Sequence, residues 1–386
     1  MSYLTDPAAI LAVLFFNVVL TEWLCRNTFL RHFGTALLVI LITAVVSNLG
    51  IIPARPSETP VYGGIFAFVA PLAIFLPLLQ VNLRDVLRAG GPMLAAFALG
   101  ATGTVLGVLA GLWTADAEAA FGNDYRALAG MFAGTYIGGG VNFNALALEY
   151  GIAEDGILFA GSTAVDNILT ALWMMATIAA PRLLIRYYPR RRQESQATSA
   201  PHLQGDADQE SLNPGNLALL LGMGGAAIWL SNLTADWMAG MGYPLPSIVV
   251  LTTLALILGQ LQVINRLPGT RALGMLAIYL FLAVIGAFCD LTAFDEIGEL
   301  GFSLFIFAAT IVLVHGLVIF LLGGLFKIDW EVLAIASQAN VGGAPSALAL
   351  ARSLGRSDMV LASVLIGTLG YGVGTYIGFL VAGYLV

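Results

Sequence analysis

A Gly-rich stretch occurs once in each half of this chain, and it constrains the fold more than any other feature. Residues 134–151 begin Gly-Thr-Tyr-Ile-Gly-Gly-Gly-Val-Asn, and residues 337–355 begin Ser-Gln-Ala-Asn-Val-Gly-Gly-Ala-Pro. The matching positions in a gapless alignment include Gly138 with Gly342, Gly139 with Gly343, Asn142 with Ser346 and Gly151 with Gly355. Paired Gly/Pro-interrupted apolar segments at corresponding positions of two halves are typical of secondary transporters, where they mark the binding site.

The sequence around this repeat is too apolar for a soluble protein, because 59% of residues are hydrophobic and only 10% are charged, against about 25% charged in soluble domains. Apolar runs approach or exceed the roughly 20 residues that cross a bilayer as a helix. We therefore predict an all-α polytopic membrane protein with two similar units. Its predicted spans are 7–25, 33–52, 60–81, 90–113 and 156–181 in the first unit, and 214–232, 245–264, 272–289, 300–325 and 359–385 in the second.

The two units are predicted to be residues 1–185 and 214–386. They are separated by a polar stretch, 186–213, that contains Arg190-Arg-Arg192 and has almost nothing to bury, which is typical of a disordered linker. Basic residues follow alternate spans, and the positive-inside rule assigns them and the linker to the cytoplasm. If the first Gly-rich segment crossed the membrane, the Arg cluster would lie outside. This segment is therefore expected to enter and return on one side.

The lengths of the Gly-rich segments agree with a re-entrant hairpin. Each arm has about nine residues and reaches about 14 Å as a helix, close to the bilayer midplane. Five spans per unit is an odd number, so the second unit starts on the opposite side of the membrane. The sequence thus predicts inverted repeats, with one hairpin entering from each face.

The hairpin tips are the predicted substrate site. Helix N-termini at the tips would favour an anion such as a carboxylate, tip carbonyls would suit Na⁺, and neutral amides and hydroxyls could serve either ligand. The alternative role is close helix packing, which we favour instead for the separate stripe Gly100, Gly103, Gly107 and Gly111. The predicted substrate-binding residues are Thr135, Gly138, Gly139, Gly140, Asn142, Asn144, Gln338, Asn340, Gly342, Gly343 and Ser346.

Asp166 lies about ten residues into a predicted span, a depth at which an acid is costly and by default functional. We predict that it binds the coupling ion together with Ser162, Thr163 and Asn167. A Na⁺ ion could also engage Asn142 and Asn340, whereas desolvation of Asp166 would favour a proton instead. His315, a lone histidine within a span, is expected to hydrogen-bond a neighbouring helix.

The paired motifs Gly138-Gly-Gly140 and Gly342-Gly-Ala344 resemble the re-entrant Gly-Gly-x-Gly loops of the 2-hydroxycarboxylate and sodium/glutamate symporters. More closely, the two segments are similar to the bacterial YjcL-like membrane family, an uncharacterised relative within the cation:proton antiporter and anion transporter superfamily. This resemblance covers nearly the whole chain and implies an elevator-type fold with a dimeric scaffold. Val141 and Pro345 replace the last Gly of the motif, so the symporters' substrates do not carry over.

The sequence therefore predicts an ion-coupled secondary transporter, driven by Na⁺ or H⁺, for a small organic anion or amino-acid-like solute. The alternatives are a Na⁺/H⁺-type antiporter without an organic substrate and, less favoured, an intramembrane enzyme. We expect no enzymatic activity, no cofactor and no nucleic-acid partner. We also expect a homodimer in a bacterial inner membrane.

Overall fold

The computed structural model describes residues 4–30, 35–54, 59–188, 212–243, 245–289 and 294–385. The Arg190–Arg192 cluster and most of the predicted linker lie outside these ranges, so the positions of these basic residues stay a prediction. Within the described ranges the chain is helical and contains no strand. Eight helices in these ranges are long and apolar enough to cross a membrane. The protein is therefore a multi-pass helical membrane protein.

The helices of the first half begin and end close to the predicted spans. They are α1 (Pro7–Asn27), α2 (Thr35–Asn48), α3 (Pro60–Leu79, with a π-helical turn at Ile65–Val69), α4 (Gly91–Thr114), α5 (Tyr125–Gly138), α6 (Gly140–Glu149) and α7 (Gly156–Tyr187). Those of the second half are α8 (Pro214–Gly240), α9 (Ser247–Gly259), α10 (Thr270–Phe288), α11 (Phe294–Leu325), α12 (Trp330–Ser353) and α13 (Val360–Leu380, continued by a π-helical turn at Val381–Leu385).

The first helices of the two halves start in the same way. Asp6 caps α1 by accepting hydrogen bonds from the N–H groups of Ala8 and Ala9, and Asn213 caps α8 by accepting one from Gly215. In both helices the first residue is proline, which has the φ angle of a helix and no N–H to leave unsatisfied. The cap and the proline together fix where each half begins.

The second helix of each half is shorter than predicted. Helix α2 has 14 residues and α9 has 13, which correspond to about 20 Å at 1.5 Å per residue rather than about 30 Å of hydrocarbon. The predicted spans 33–52 and 245–264 therefore overestimate these helices, because apolar sequence continues into turns at their ends. The same shortening in both halves agrees with a structural repeat.

The helices form two groups that pack mainly within themselves. The first, which we call the hairpin body, contains α4 to α7 and α11 to α13; the second, the flanking body, contains α1 to α3 and α8 to α10. Each body takes corresponding helices from both halves. The last helix of each half packs on the hairpin of the other half: α7 packs on α12, and α13 packs on α5. The second helix of each half packs on the third helix of the other half: α2 packs on α10, and α9 packs on α3.

The glycine stripe on α4 has the packing role predicted for it. A Cβ atom at Gly107 would lie 2.7 Å from the Ile311 carbonyl oxygen, and one at Gly103 would lie 3.0 Å from the His315 Cα. The stripe therefore lets α4 and α11 approach with their backbones almost in contact. These two helices form the centre of the hairpin body.

Candidate functional site

The first Gly-rich segment is a helical hairpin, which we call hairpin 1. Gly139 has φ +98° and separates α5 from α6, a conformation that favours glycine. The Leu146 side chain would contact Cβ atoms placed at Gly130 and Gly134, at 3.3 and 2.8 Å. In a continuous helix residues 130 and 146 would lie about 24 Å apart. Helix α6 therefore folds back along α5.

The second Gly-rich segment, hairpin 2, breaks at the equivalent glycine. Gly343 within α12 has φ +71°, and the two ends of α12 meet at their base. There Arg356 Nη1 lies 2.7 Å from Glu331 Oε2 and 3.3 Å from Asp329 Oδ2, and Nη2 lies 2.9 Å from Asp358 Oδ2. A straight helix of this length would place its ends about 36 Å apart. Arg356 thus clamps the two arms together.

The two hairpin bases differ in charge. Burial of Arg356 acts to lower its pKa, but hydrogen bonds to Asp358 and Glu331 outweigh burial and raise the pKa above its ordinary value. At the base of hairpin 1, burial raises the pKa of Asp124, and the negative charge of Asp155 raises it further. Hairpin 2 is therefore held by opposite charges, whereas like charges face each other at hairpin 1.

The tips of the two hairpins touch. A Cβ atom at Gly139 would lie 3.5 Å from the Gly343 Cα, and one at Gly343 would lie 3.1 Å from the Gly138 carbonyl oxygen. The Tyr371 ring of α13 lies beside both tips. The Gly-rich segments of the two halves therefore meet at one place.

A cavity of about 320 Å³ opens beside the tips. Its lining comes from both hairpins, α7, α13 and the flanking body. The lining residues predicted as site residues are Thr135, Gly139, Gly140, Asn144, Thr163, Asp166, Asn167, Gly342 and Ser346; the others include Val141, Phe143, Thr170, Ile278, Leu282, Pro345 and Tyr371. The predicted substrate and ion residues thus share one chamber.

The cavity lies on the α7 side of the tips because the α13 side is filled. Gly370 on α13 packs directly against Gly138, and Gly374 packs against the Gly134 carbonyl oxygen. The aligned positions on α7 are Asp166 and Thr170, which have side chains and line the cavity. The glycines of α13 thus allow close packing against hairpin 1, whereas the polar residues at the aligned positions of α7 line the cavity.

Several polar atoms around the cavity have no hydrogen-bond partner among the described residues. Of eight such buried side-chain atoms, seven are near the tips: Thr135 Oγ1, Tyr136 Oη, Ser162 Oγ, Asp166 Oδ1, Asn167 Nδ2, Gln338 Nε2 and Asn340 Oδ1. Six belong to predicted site residues, and the Tyr136 phenol interacts electrostatically with Asp166. A buried polar atom without a partner costs about 1–3 kcal/mol, so this cluster is prepared for a ligand or water.

Other predicted site residues lie outside the cavity. Asn142 is fully bonded: its Nδ2 donates to the carbonyls of Gly134 at 3.1 Å and Gly370 at 3.0 Å, and its Oδ1 accepts from Thr375 at 2.8 Å. The Asn142 side chain therefore ties hairpin 1 to α13. Gly138 and Gly343 lie at the tip contact, and Ser162, Gln338 and Asn340 are buried next to the chamber rather than lining it.

His315 bonds neighbouring helices, as predicted. Its Nδ1 lies 2.9 Å from the Gly100 carbonyl oxygen, which can only accept, so Nδ1 carries the proton. Its Nε2, 2.8 Å from Ser337 Oγ, then accepts from that hydroxyl, which in turn accepts from Trp173 Nε1 at 2.9 Å; the tautomer follows from this network. The imidazole thus links α4, α11 and α12, and Ser337 extends the link to α7.

Sequence reasoning missed Tyr136, Thr170, Tyr371 and Arg356. Thr170 carried a usable signal, since it lies one turn beyond Asp166 on the same helix face. Tyr136 and Tyr371 flank the Gly-rich motifs in sequence, but their direction depends on how the hairpins fold. Arg356 carried no local signal, because two of its partners come from the other arm of hairpin 2.

The described residues contain no group of three or more His, Cys, Asp or Glu side chains that could hold a metal ion. Any cation in the cavity would therefore use hydroxyl, amide and backbone oxygens around the single carboxylate of Asp166, a ligand set that suits a monovalent ion. These features define a polytopic helical membrane protein with a chamber beside the tips of two broken helices, lined by apolar residues and by several polar groups.

The chain belongs to the family described as proteins of unknown function DUF819, whose profile matches residues 8–386. It is also similar to the uncharacterized membrane protein YjcL of Bacillus subtilis (strain 168). The two are 29% identical over 358 residues, which cover 89% of this chain and 87% of YjcL. The predicted kinship with YjcL-like proteins is thereby confirmed, while the wider relation to the named symporters stays a prediction.

Proposed function

We propose that this protein is an ion-coupled secondary active transporter of a small organic anion or amino-acid-like solute, driven by Na⁺ or H⁺. The observation that carries the proposal is the convergence of both glycine breaks on one chamber that contains Asp166 and several unpartnered polar atoms. Irregular backbone at depth is tolerated where it is buried in protein or lines a wet cavity. A chamber of this kind serves solute passage better than it serves packing.

In this proposal the coupling ion binds to Asp166 Oδ1. Another unpartnered oxygen belongs to Ser162, one turn earlier on α7. Hydroxyl and carboxylate oxygens suit Na⁺, and the Tyr136 phenol beside Asp166 can donate a hydrogen bond to the ionised carboxylate. Desolvation of the carboxyl favours a proton instead. Asn167 and Thr163 complete this side of the chamber.

We further propose that the two halves are inverted repeats and that the hairpin body slides against the flanking body in an elevator movement. Three observations support this. Both Gly-rich segments fold back to their starting side, corresponding helices pair in the same way in each half, and the helices separate into two bodies. We also propose a homodimer in the bacterial inner membrane, without a cofactor or a nucleic-acid partner.

The alternative is a Na⁺/H⁺-type antiporter without an organic substrate. Asp166 alone favours it, because one buried carboxylate can exchange the two cations. Against it stands the volume of about 320 Å³, which equals that of about ten water molecules and exceeds what one ion requires. An intramembrane enzyme is a weaker candidate, since Ser337 and His315 bond neighbouring helices and lie outside the chamber.

A flux assay in proteoliposomes tests the proposal. The purified full chain is reconstituted, Na⁺ and pH gradients are imposed separately, and uptake is measured for a panel of radiolabelled carboxylates and amino acids. We expect one gradient to drive accumulation of at least one solute, and Asp166→Asn to abolish the driving effect. Asp236→Asn, an exposed acid on α8, is the matched control and keeps wild-type flux. Gradient-driven uptake that survives Asp166→Asn would refute the assignment of the coupling site.

A further inference from the structure

The charge of the chamber limits what it can carry. Among the described residues that line it, Asp166 is the one acidic group, and none is Arg, Lys or His. Arg271, at the start of α10, acts electrostatically on Tyr371 but lines a different cleft with Glu22 and Arg26. Buried charge without a counter-charge is expensive. A ligand of this chamber therefore has to be balanced by the coupling ion.

The unpartnered donors of the chamber are neutral amides. Asn167 Nδ2 lines the chamber side of α7 and has no acceptor. Gln338 Nε2, on a fully buried side chain, also has no acceptor, and it lies behind the tip of hairpin 2. A Cβ atom at Gly342 would lie 2.7 Å from this nitrogen and 2.6 Å from Ser346 Oγ. Asn167 can donate to a carboxylate in the chamber, whereas Gln338 lies outside the lining, and neither amide brings a positive charge.

The N-terminus of α6 adds a partial positive charge at the same place. Gly140 and Val141, the first residues of the helix, line the chamber, and free N–H groups at a helix start bind anionic groups. Thr135 Oγ1, on a side chain 1% exposed and also in the lining, has no partner and faces the same space. These groups together provide for one carboxylate.

An ammonium group also has complementary surroundings. The rings of Phe143 and Tyr371 and the Asn144 side chain line the chamber. Aromatic faces and amide oxygens bind organic cations. With a cation on Asp166 the lining is electrically neutral, so a solute without net charge leaves the loaded chamber neutral.

We infer that the transported solute is a zwitterion with one carboxylate, one ammonium group and no net charge, and that it binds after a single cation has occupied Asp166. This inference rests on the proposed transport function and names its substrate class. The solute's carboxylate accepts from Asn167 Nδ2, the Thr135 hydroxyl and the N–H groups at the start of α6. A second carboxylate would place an uncompensated negative charge beside Asp166, and such like-charge contacts cost several kilocalories per mole.

Pairs of solutes that differ in one charge test the inference. Ion-driven uptake of glutamine is compared with that of glutamate, asparagine with aspartate, and each amino acid with its deaminated analogue, together with a wider set of neutral amino acids. We expect the zwitterions to be taken up. The partners with an extra carboxylate and the deaminated analogues should bind with affinities about tenfold or more lower than those of the zwitterions. Preferred uptake of dicarboxylates or of simple monocarboxylates would overturn the inference and leave the proposed transport intact. Ion exchange without any solute uptake would overturn both.

Two variants separate this charge balance from a purely structural role. Asp166→Asn makes the chamber neutral without an ion, so we expect binding of the best zwitterion to become independent of Na⁺ and pH. Binding is measured by scintillation proximity on purified full-length protein. Asn167→Leu is expected to raise the solute's Kd about tenfold, because the solute's carboxylate loses one donor. The inference fails if Asp166→Asn, shown to be folded by an unchanged elution profile, binds the zwitterion only with the ion present. It also fails if Asn167→Leu leaves the Kd unchanged.

Discussion

Replacement of Arg356 is the sharpest test of how hairpin 2 is held. The guanidinium is fully buried, and its three carboxylate partners, Asp329, Glu331 and Asp358, have side chains 6%, 17% and 32% exposed. In Arg356→Gln the positive charge between these three carboxylates is removed. Breaking a buried ion pair from one side costs about 3–5 kcal/mol. Asp358 is partly screened by solvent, so we take about 3 kcal/mol as the expected cost.

The expected effect is local opening of the hairpin base. A cost of about 3 kcal/mol corresponds to an increase of roughly a hundredfold in the opening constant. Hydrogen–deuterium exchange followed by mass spectrometry should therefore show about hundredfold faster exchange at the two ends of α12, while α4 and α11 are unchanged. Arg352→Gln, an exposed arginine one turn away, is the matched control. Exchange at both ends of α12 within about twofold of wild type would refute the clamp.

Three further substitutions test other contacts. Gly370→Ala would place a methyl group 2.6 Å from the Gly138 Cα, so we expect a loss of about 1–3 kcal/mol in thermal unfolding, with Gly383→Ala, which has open space, as the neutral control. In His315→Gln one amide cannot replace both imidazole bonds, so a loss of about 2 kcal/mol is expected, and an unchanged Tm would contradict the linking role. The pKa of Asp124 is raised in the folded state. Ionisation of Asp124 therefore opposes folding once the pH rises above the ordinary pKa of a free aspartate. Asp124→Asn should therefore unfold at a higher temperature than wild type at pH 7, and this difference should shrink at acid pH; a difference that does not change with pH would contradict the raised pKa of Asp124.

The positions of the two breaks could be predicted from sequence because their cause is local. Gly139 and Gly343 adopt backbone angles that favour glycine, and each lies in a run of glycines flanked by apolar helix. The depth and cost of an isolated acid likewise identified Asp166. These inferences depend on backbone conformation and desolvation, which a single segment determines.

The direction of individual side chains could not be predicted in the same way. Asn142 and Asn144 are two residues apart in one arm, yet Asn142 ties hairpin 1 to α13 and Asn144 faces the chamber. Which of them points inward depends on how α6 rotates when it packs on α5 and α13. The clamp at Arg356 is a tertiary feature of the same kind, since its partners Asp329 and Glu331 come from the opposite arm.

The close packing of hairpin 1 on α13 has a consequence for the route into the chamber. With no side chain between Gly138 and Gly370, the first hairpin and α13 have no seam that a solute could open without breaking backbone contacts. In the proposed transporter the route for the solute therefore passes the flanking body, where Ile278 and Leu282 of α10 border the chamber. Bulky replacements at these two positions are the ones that would obstruct entry and exit while leaving the binding groups intact.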